Sequence, residues 1–399
     1  MTIGGATLPS TETAAREGRS AGCILFVTTV SSTASHFLAP YASRLRGMGW
    51  RVDAAANGAT RDPAALRAFD RTYDLPLSRS ARDLRGFSAT LTAIREILSS
   101  GYDIVHVHTP IASFLTRLSV RRLPANRRPK VVYTAHGFHF HAGGYPVTNV
   151  LFRSAERLAG RWTDWLVVIN DEDAESALRY RIVPRDRVVR MPGIGLDTDH
   201  YLAGRISEEA VHHLRDLLGI ATDAHVFVAI GDMNRNKRPT DAVQALAKMA
   251  DSDAALVFVG DGPERGRVES LAAELGIERR VRVAGFLDDV RPALAAATAL
   301  VMPSRREGLA RSVQEALALG VPVVASAARG NRELVNGDGF VVAIGDTAAM
   351  SRAMDWLITH PAERLAMGVR GRARMIERYD LRKLIERHVE LYEQVLRAP

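Results

Sequence analysis

Cysteine is almost absent from this chain: Cys23 is the sole example in 399 residues. No internal disulfide can form and there is no CxxC pair, which points to a reducing compartment. Lysine is nearly as scarce, with four (Lys130, Lys237, Lys248 and Lys383) against 49 arginines, the skew that a GC-rich coding sequence leaves behind. Long apolar runs are missing too. The run Cys23–Val30 falls far short of the roughly 20 residues a membrane span needs. The first 20 residues have no apolar core of the signal-peptide kind. A cytoplasmic protein with a disordered tail over residues 1–20 is expected. Finally, no Gly-x-Gly-x-x-Gly follows the first apolar run, which removes the main support for a nicotinamide site.

What is present is the composition of an ordinary globular protein, 47% apolar and 25% charged, which excludes wholesale disorder. The net charge of +8 is uneven. Residues 1–200 hold 26 basic and 18 acidic side chains, whereas residues 201–399 are balanced. Basic residues are spread rather than interleaved with aromatics, so a nucleic-acid partner is not expected.

Short apolar runs alternate with helical patterns along the whole length. Strands are expected at Cys23–Val30, Arg51–Ala56, Ile104–His108, Val131–Thr134 and Trp165–Ile169. In the second half they are expected at Val226–Ile230, Ala255–Val259, Val281–Ala284, Ala299–Met302 and Val321–Ala325. Continuous apolar strands separated by helices specify parallel sheets covered on both faces. The irregular stretch Met191–Ala203, with one proline and two glycines, reads as the junction between two doubly wound halves. Such sheets bind ligands beyond the carboxyl ends of their strands.

Four segments carry candidate chemistry. Glu307 and Glu315 stand eight positions apart where a loop turns into a helix, beside Gly308, Leu309 and Ala310. Free N–H groups at a helix start attract a diphosphate, and a carboxylate two turns in can grip a ribose diol. Read alone, the pair fits equally a capping acid and a solvated face residue. Gly231–Arg238 holds Arg235, Lys237 and Arg238 after a strand, cations able to neutralise a leaving diphosphate or simply a solvated turn. Gly260-Asp261-Gly262-Pro263 permits close backbone approach to a ligand, or is a plain turn. Tyr133–His141 contains His136, His139 and His141, but their spacing, with no Cys or acid near, suits no closed metal set. His136, at a strand end, is the better candidate for a polar site residue. His106 and His108 share one face of their strand and read as packing residues. Asp171-Glu172-Asp173 reads as the acidic first turn of a helix rather than a metal motif. No metal site is expected.

In combination these segments resemble the retaining glycosyltransferase family 4, in its capsule and exopolysaccharide branch. The Glu307–Glu315 region with Gly320–Ala325, the Gly260–Pro263, Gly285–Asp288 and Met191–Asp197 blocks, and Tyr102–Pro110, Thr134–Phe140 and Arg329–Val335 carry the resemblance, which runs from about Ile24 to Leu396. It implies an α/β GT-B fold, two Rossmann-like domains facing a cleft. The N-terminal acceptor-side domain would cover 21–195 and the nucleotide-sugar domain 196–375. The last helix, in 376–399, would cross back to the first domain.

The resemblance implies no cofactor beyond a nucleotide-sugar co-substrate, with UDP as the expected nucleotide. Glu307 would hold donor-sugar hydroxyls, and Gly308, Leu309 and Ala310 would offer N–H groups to sugar and phosphates. Glu315 would bind ribose and Lys237 the diphosphate, with Gly231, Gly260 and Gly262 in the surrounding loops. Phe286 and Leu287 would border the base, and His136 would lie near the donor sugar. Many relatives carry Arg where this chain has Asp232, and Arg235 is the candidate replacement for that charge. The acceptor would be a lipid-linked saccharide or a small molecule, and the protein a monomer or homodimer. A sugar-nucleotide epimerase of the same fold and a non-catalytic nucleotide-sugar-binding subunit are the alternatives. On the basic side, Arg117, Arg121, Arg122, Arg127, Arg128 and Lys130 are candidates for peripheral contact with an anionic membrane or a diphosphate-bearing acceptor.

Overall fold

The computed structural model describes residues 21–77, 84–140, 144–251 and 253–398. The tail 1–20 and His141 lie outside the described residues. The chain forms two compact units. The first gathers residues up to Val167, Ser176–Val189 and Ile385–Pro399; the second gathers Val168–Glu175 and Arg190–Leu384. The seam at Val189 precedes the expected junction at 195, and the eight residues Val168–Glu175, starting with the last residue of the sixth strand, also go with the second unit.

The first unit is built on a seven-stranded sheet in the order β3-β2-β1-β4-β5-β6-β7. Its strands are β1 (Cys23–Val30), β2 (Arg51–Asn57), β3 (Arg71–Asp74), β4 (Ile104–His108), β5 (Lys130–Ala135), β6 (Trp165–Val168) and β7 (Val188–Arg190). β1 lies parallel to both β2 and β4, and β5 continues the parallel set beside β4. β1 and β4 are buried almost throughout, including Thr28, Thr29, His106 and His108 among their apolar residues. The second unit repeats the plan with six parallel strands in the order β10-β9-β8-β11-β12-β13. These are β8 (Val226–Ile230), β9 (Ala255–Val259), β10 (Val281–Gly285), β11 (Ala299–Met302), β12 (Val323–Ser326) and β13 (Gly339–Val342). Helices cover this sheet on both faces. Phe227, Leu256, Phe258 and Val324 fill one core, and Leu300, Met302, Val323 and Val313 the other.

Three strands were not foreseen: β3, β7 and β13. All lie at sheet edges and are partly exposed; β3 and β7 lack the continuous apolar run that marks an interior strand, whereas β13 carries one, Phe340–Ile344, that went unread. The last helix, Leu381–Arg397, starts in the second unit and ends in the first. There Tyr392 Oη shares a hydrogen bond with His106 Nδ1 at 2.7 Å, and His388 packs edge-to-face with Tyr41. Arg44 grips Glu386 with two guanidinium nitrogens, at 2.7 and 3.1 Å. The crossing-back of the terminal helix is therefore a property of the fold. Among the described residues no helix is long and apolar enough to cross a membrane.

One expectation needs correcting. Arg117 does not face outward: it is 1% exposed, lies over the Tyr133 ring and pairs with Glu156 at 3.1 Å. Its helix, Pro110–Arg121, carries it on the core face, which a linear run of basic residues cannot reveal.

Candidate active site

In both sheets the strand order reverses direction at one point. In the second unit this falls between β8 and β11, so the loops after these two strands border a ready-made crevice. The loop after β8 is Gly231–Arg238, and the loop after β11 contains Glu307. The first is shaped by Asn234, whose Oδ1 accepts the N–H groups of Asn236 (3.0 Å) and Lys237 (3.1 Å). The two loops are sewn together by one backbone bond and one side-chain bond. Arg305 N–H donates to the Asn236 carbonyl at 2.7 Å, and the Asn236 amide donates to the Arg306 carbonyl at 2.9 Å. This stitching brings Lys237 Nζ to 2.9 Å from Glu307 Oε1, with both side chains mostly buried.

Just beyond, the helix Arg311–Ala318 starts with no side-chain cap and no acid in its first turn. Its leading N–H groups and the Lys237 ammonium supply positive potential at one loop cluster. Glu315 lies on this helix, buried; its Oε1 accepts from Tyr201 Oη at 2.8 Å and from Arg311 Nε at 3.1 Å. Burial, and next the Glu315 charge, push the Tyr201 phenol well above its usual range, so it remains a donor. Arg311 also donates to the Gly195 carbonyl at 2.9 Å, which ties the Met191–Asp197 block to this helix.

The glycine loops after β9 and β10 complete the cluster. Gly260 N–H donates to the Gly285 carbonyl at 2.7 Å, and Gly231 N–H to the Val259 carbonyl at 2.9 Å. A Cβ on Gly260, whose φ is +130°, would run into the Gly231 carbonyl. Gly262 follows in the same turn. Of the next pair, Leu287 packs on the core while Phe286 is 83% exposed. Arg235 does not add its charge to that of Lys237: it is nearly fully exposed and turned to Glu264 at 3.4 Å.

The backing of the Glu307 loop was invisible in the sequence as a role. Gly330, in the helix Arg329–Val335, approaches so closely that a Cβ there would overlap the Gly308 carbonyl. Asn331 donates to the Ser326 carbonyl at 3.2 Å, and Ser326 Oγ donates to the Ser304 carbonyl. The signal was present only as the Arg329–Val335 block. The acidic run Asp171–Asp173 opens a helix, as expected, and its carboxylates are neutralised within the second unit: Asp173 by Arg329 at 2.6 Å and Glu172 by Arg332 at 3.2 Å. Among the described residues no three His, Cys, Asp or Glu side chains assemble as metal ligands.

His136 belongs to the first unit, after β5. Its Nε2 lies 3.1 Å from His108 Nδ1, and His106 bonds Thr134 Oγ1 at 2.7 Å. His108 is thus in direct contact with His136, while His106 packs its ring on His108 with centroids 4.2 Å apart. Burial lowers the His136 pKa from 6.5 to about 4, and holds His106 and His108 well below the usual range. Thr109, at the reversal between β1 and β4, adopts a left-handed φ of +64° and bonds Thr29 Oγ1 at 2.7 Å, a strained corner that the sequence did not flag.

Two doubly wound units, one with a Lys–Glu pair at its strand-order reversal, follow the plan of a GT-B fold. Sequence comparison agrees: the family models described as Glycosyltransferase Family 4 and Glycosyl transferases group 1 match residues 36–199 and 212–374. The chain is 33% identical to EpsD of Bacillus subtilis over 92% of its own length and 96% of that protein. It belongs to glycosyltransferase family 4. It is also 23% identical to the Escherichia coli UDP-Gal:alpha-D-GlcNAc-diphosphoundecaprenol alpha-1,3-galactosyltransferase, over 81% of this chain and 83% of that one. Among solved structures, the Anabaena Alr3699/HepE complex with UDP-glucose superimposes with a TM-score of 0.78 at 20% identity, covering 94% of this chain and all of the other.

Proposed function

We propose that this glycosyltransferase moves a hexosyl or N-acetylhexosaminyl group from a UDP-sugar to an acceptor hydroxyl with retention of anomeric configuration. The acceptor class is a lipid-linked saccharide or a small molecule. The observation that carries this reading is the 2.9 Å contact of Lys237 with Glu307 beside the uncapped start of Arg311–Ala318. Lys237 and the N–H groups of Gly308, Leu309 and Ala310 neutralise the diphosphate, Glu307 holds sugar hydroxyls, and Phe286 and Leu287 border the base. Gly231, Gly260 and Gly262 let the loop backbones approach the donor. With Glu315 Oε1 engaged by Tyr201 and Arg311, its Oε2 is the atom offered to a ribose hydroxyl. His136, neutral at pH 7, serves as a hydrogen-bonding group toward the donor sugar.

The step is a front-face displacement. The bond from the anomeric carbon to the β-phosphate oxygen breaks, and the acceptor oxygen bonds that carbon on the same face. The acceptor proton passes to the departing phosphate oxygen. Protein groups contribute positioning and charge stabilisation.

The test is a UDP-sugar panel with saccharide-lipid and small-molecule acceptors, products read by mass spectrometry and anomeric NMR. An α-linked product from an α-linked donor, formed unchanged in EDTA, supports the reading. Inversion, complete loss in chelator, sugar conversion without acceptor (an epimerase) or inertness across the panel (a binding subunit) each overturns it.

A further inference from the structure

The two large cavities of the first unit lie away from its candidate site chemistry. One, of about 1160 Å³, is lined by Arg157, Arg161, Arg181, Arg185 and Arg187 with Ser154 and Thr163. The adjoining one, of about 760 Å³, adds Arg121, Arg122, Arg128 and Trp162 and shares Leu158 and Arg161 with the first. Neither is lined by any Asp or Glu. These arginines come from chain segments that lead into β5, β6 and β7, so they occupy the amino ends of the strands. His136 follows the carboxyl end of β5, and about 16 Å of strand separates the two ends. The surface is therefore not part of the sugar-transfer site.

An apolar stripe meets it at Leu158. On the helix Pro146–Gly160, Val147, Val150, Leu151 and Leu158 recur at helical spacing and all are exposed, Val147 to 83% and Leu151 to 65%, with Tyr145 at the helix start. A free phosphate would need the arginines alone. The apolar stripe running into an arginine field matches a bilayer surface, where acyl chains meet anionic headgroups.

We infer that the Pro146–Gly160 helix and the arginine-lined cavities beside it dock the protein on an anionic lipid bilayer. The membrane contact thus differs from the one read in the linear Arg117–Lys130 run. Arg117 drops out, and arginines from 157–187 join.

The test is sedimentation of the full chain with vesicles of phosphatidylcholine alone or mixed with phosphatidylglycerol, with no donor sugar present, so failure of the proposed activity does not affect it. Binding to the anionic vesicles that weakens as salt rises is expected. Arg157→Glu with Arg161→Glu lowers affinity at least ten-fold, given about five-fold per arginine lost. Val147→Ser with Leu151→Ser lowers it while leaving the salt dependence. The same charge change at exposed Arg205 and Arg352 leaves it within about two-fold, and unchanged Tm values certify folding. The inference is overturned if face and control variants sediment alike. It is equally overturned by binding of soluble pyrophosphate or RNA without vesicle binding, or by a dimer in sedimentation velocity that Leu151→Ser dissolves.

Discussion

Lys237 Nζ donates to Glu307 Oε1 at 2.9 Å across a sequence separation of 70 residues. Two loops joined by the Arg305–Asn236 backbone bond and by the Asn236 side-chain amide hold the contact, so the ammonium is oriented before any ligand arrives. Lys237→Ala removes a preorganised charge and should lower kcat by about 10²–10³, equivalent to roughly 2.7–4 kcal/mol. Lys237→Ala and Glu307→Ala should be strongly non-additive in kcat/KM, because the first already releases the second. A Lys237→Ala enzyme with near-normal kcat would sink the assignment.

Glu315 has a different signature. Glu315→Ala should raise the donor KM much more than it lowers kcat, as measured by initial rates over a range of UDP-sugar concentrations. Tyr201→Phe, which removes only the hydroxyl bonded to Glu315, should cost about 1 kcal/mol of stability in urea unfolding. Equal donor KM values for wild type and Glu315→Ala would remove the ribose contact.

Gly330→Ala reports on the backing of the Glu307 loop. The added methyl must displace the Gly308 carbonyl, a backbone atom with little freedom. A stability loss of about 1–3 kcal/mol is expected, with a raised donor KM. Thermal unfolding and kinetics indistinguishable from wild type would mean that the loop yields freely.

The buried histidines set a pH dependence. His136, His106 and His108 are neutral in the folded protein, with pKa values lowered by burial; His136 falls from 6.5 to about 4. The unfolded chain takes up these protons first as the pH falls. Stability is therefore complete about one pH unit above 6.5 and declines progressively toward pH 4. Urea midpoints at pH 8.5, 7.5, 5.5 and 4.5 should be nearly level between the first two and then drop. A flat series to pH 4.5 would contradict the buried, neutral state.

Much of the fold was legible because interior parallel strands are locally self-announcing. Val226–Ile230, Ala255–Val259 and Ala299–Met302 appear as foreseen, each a short run that both covered faces require to be apolar, and so does Ile104–His108, which buries two histidines. Edge strands β3 and β7 have one neighbour and partial exposure, so nothing in Arg71–Asp74 or Val188–Arg190 distinguished them from loop; β13 did carry an apolar signal, Phe340–Ile344.

The sequence by itself determined that there are two doubly wound halves and which loops follow their strands, since periodicity and glycine placement are properties of neighbouring residues. It also nominated Lys237, Glu307, Glu315 and His136. Only the tertiary structure decided which groups meet. It paired Lys237 with Glu307, gave Glu315 to Tyr201, set Gly330 against Gly308 and turned Arg235 to Glu264. It buried Arg117 while joining Arg121 and Arg122 to arginines up to 66 residues away in one acid-free surface. The physical reason is common to all of these. A side chain's partner and its exposure depend on which face of its element looks inward, and on which distant loop the packed sheet brings beside it.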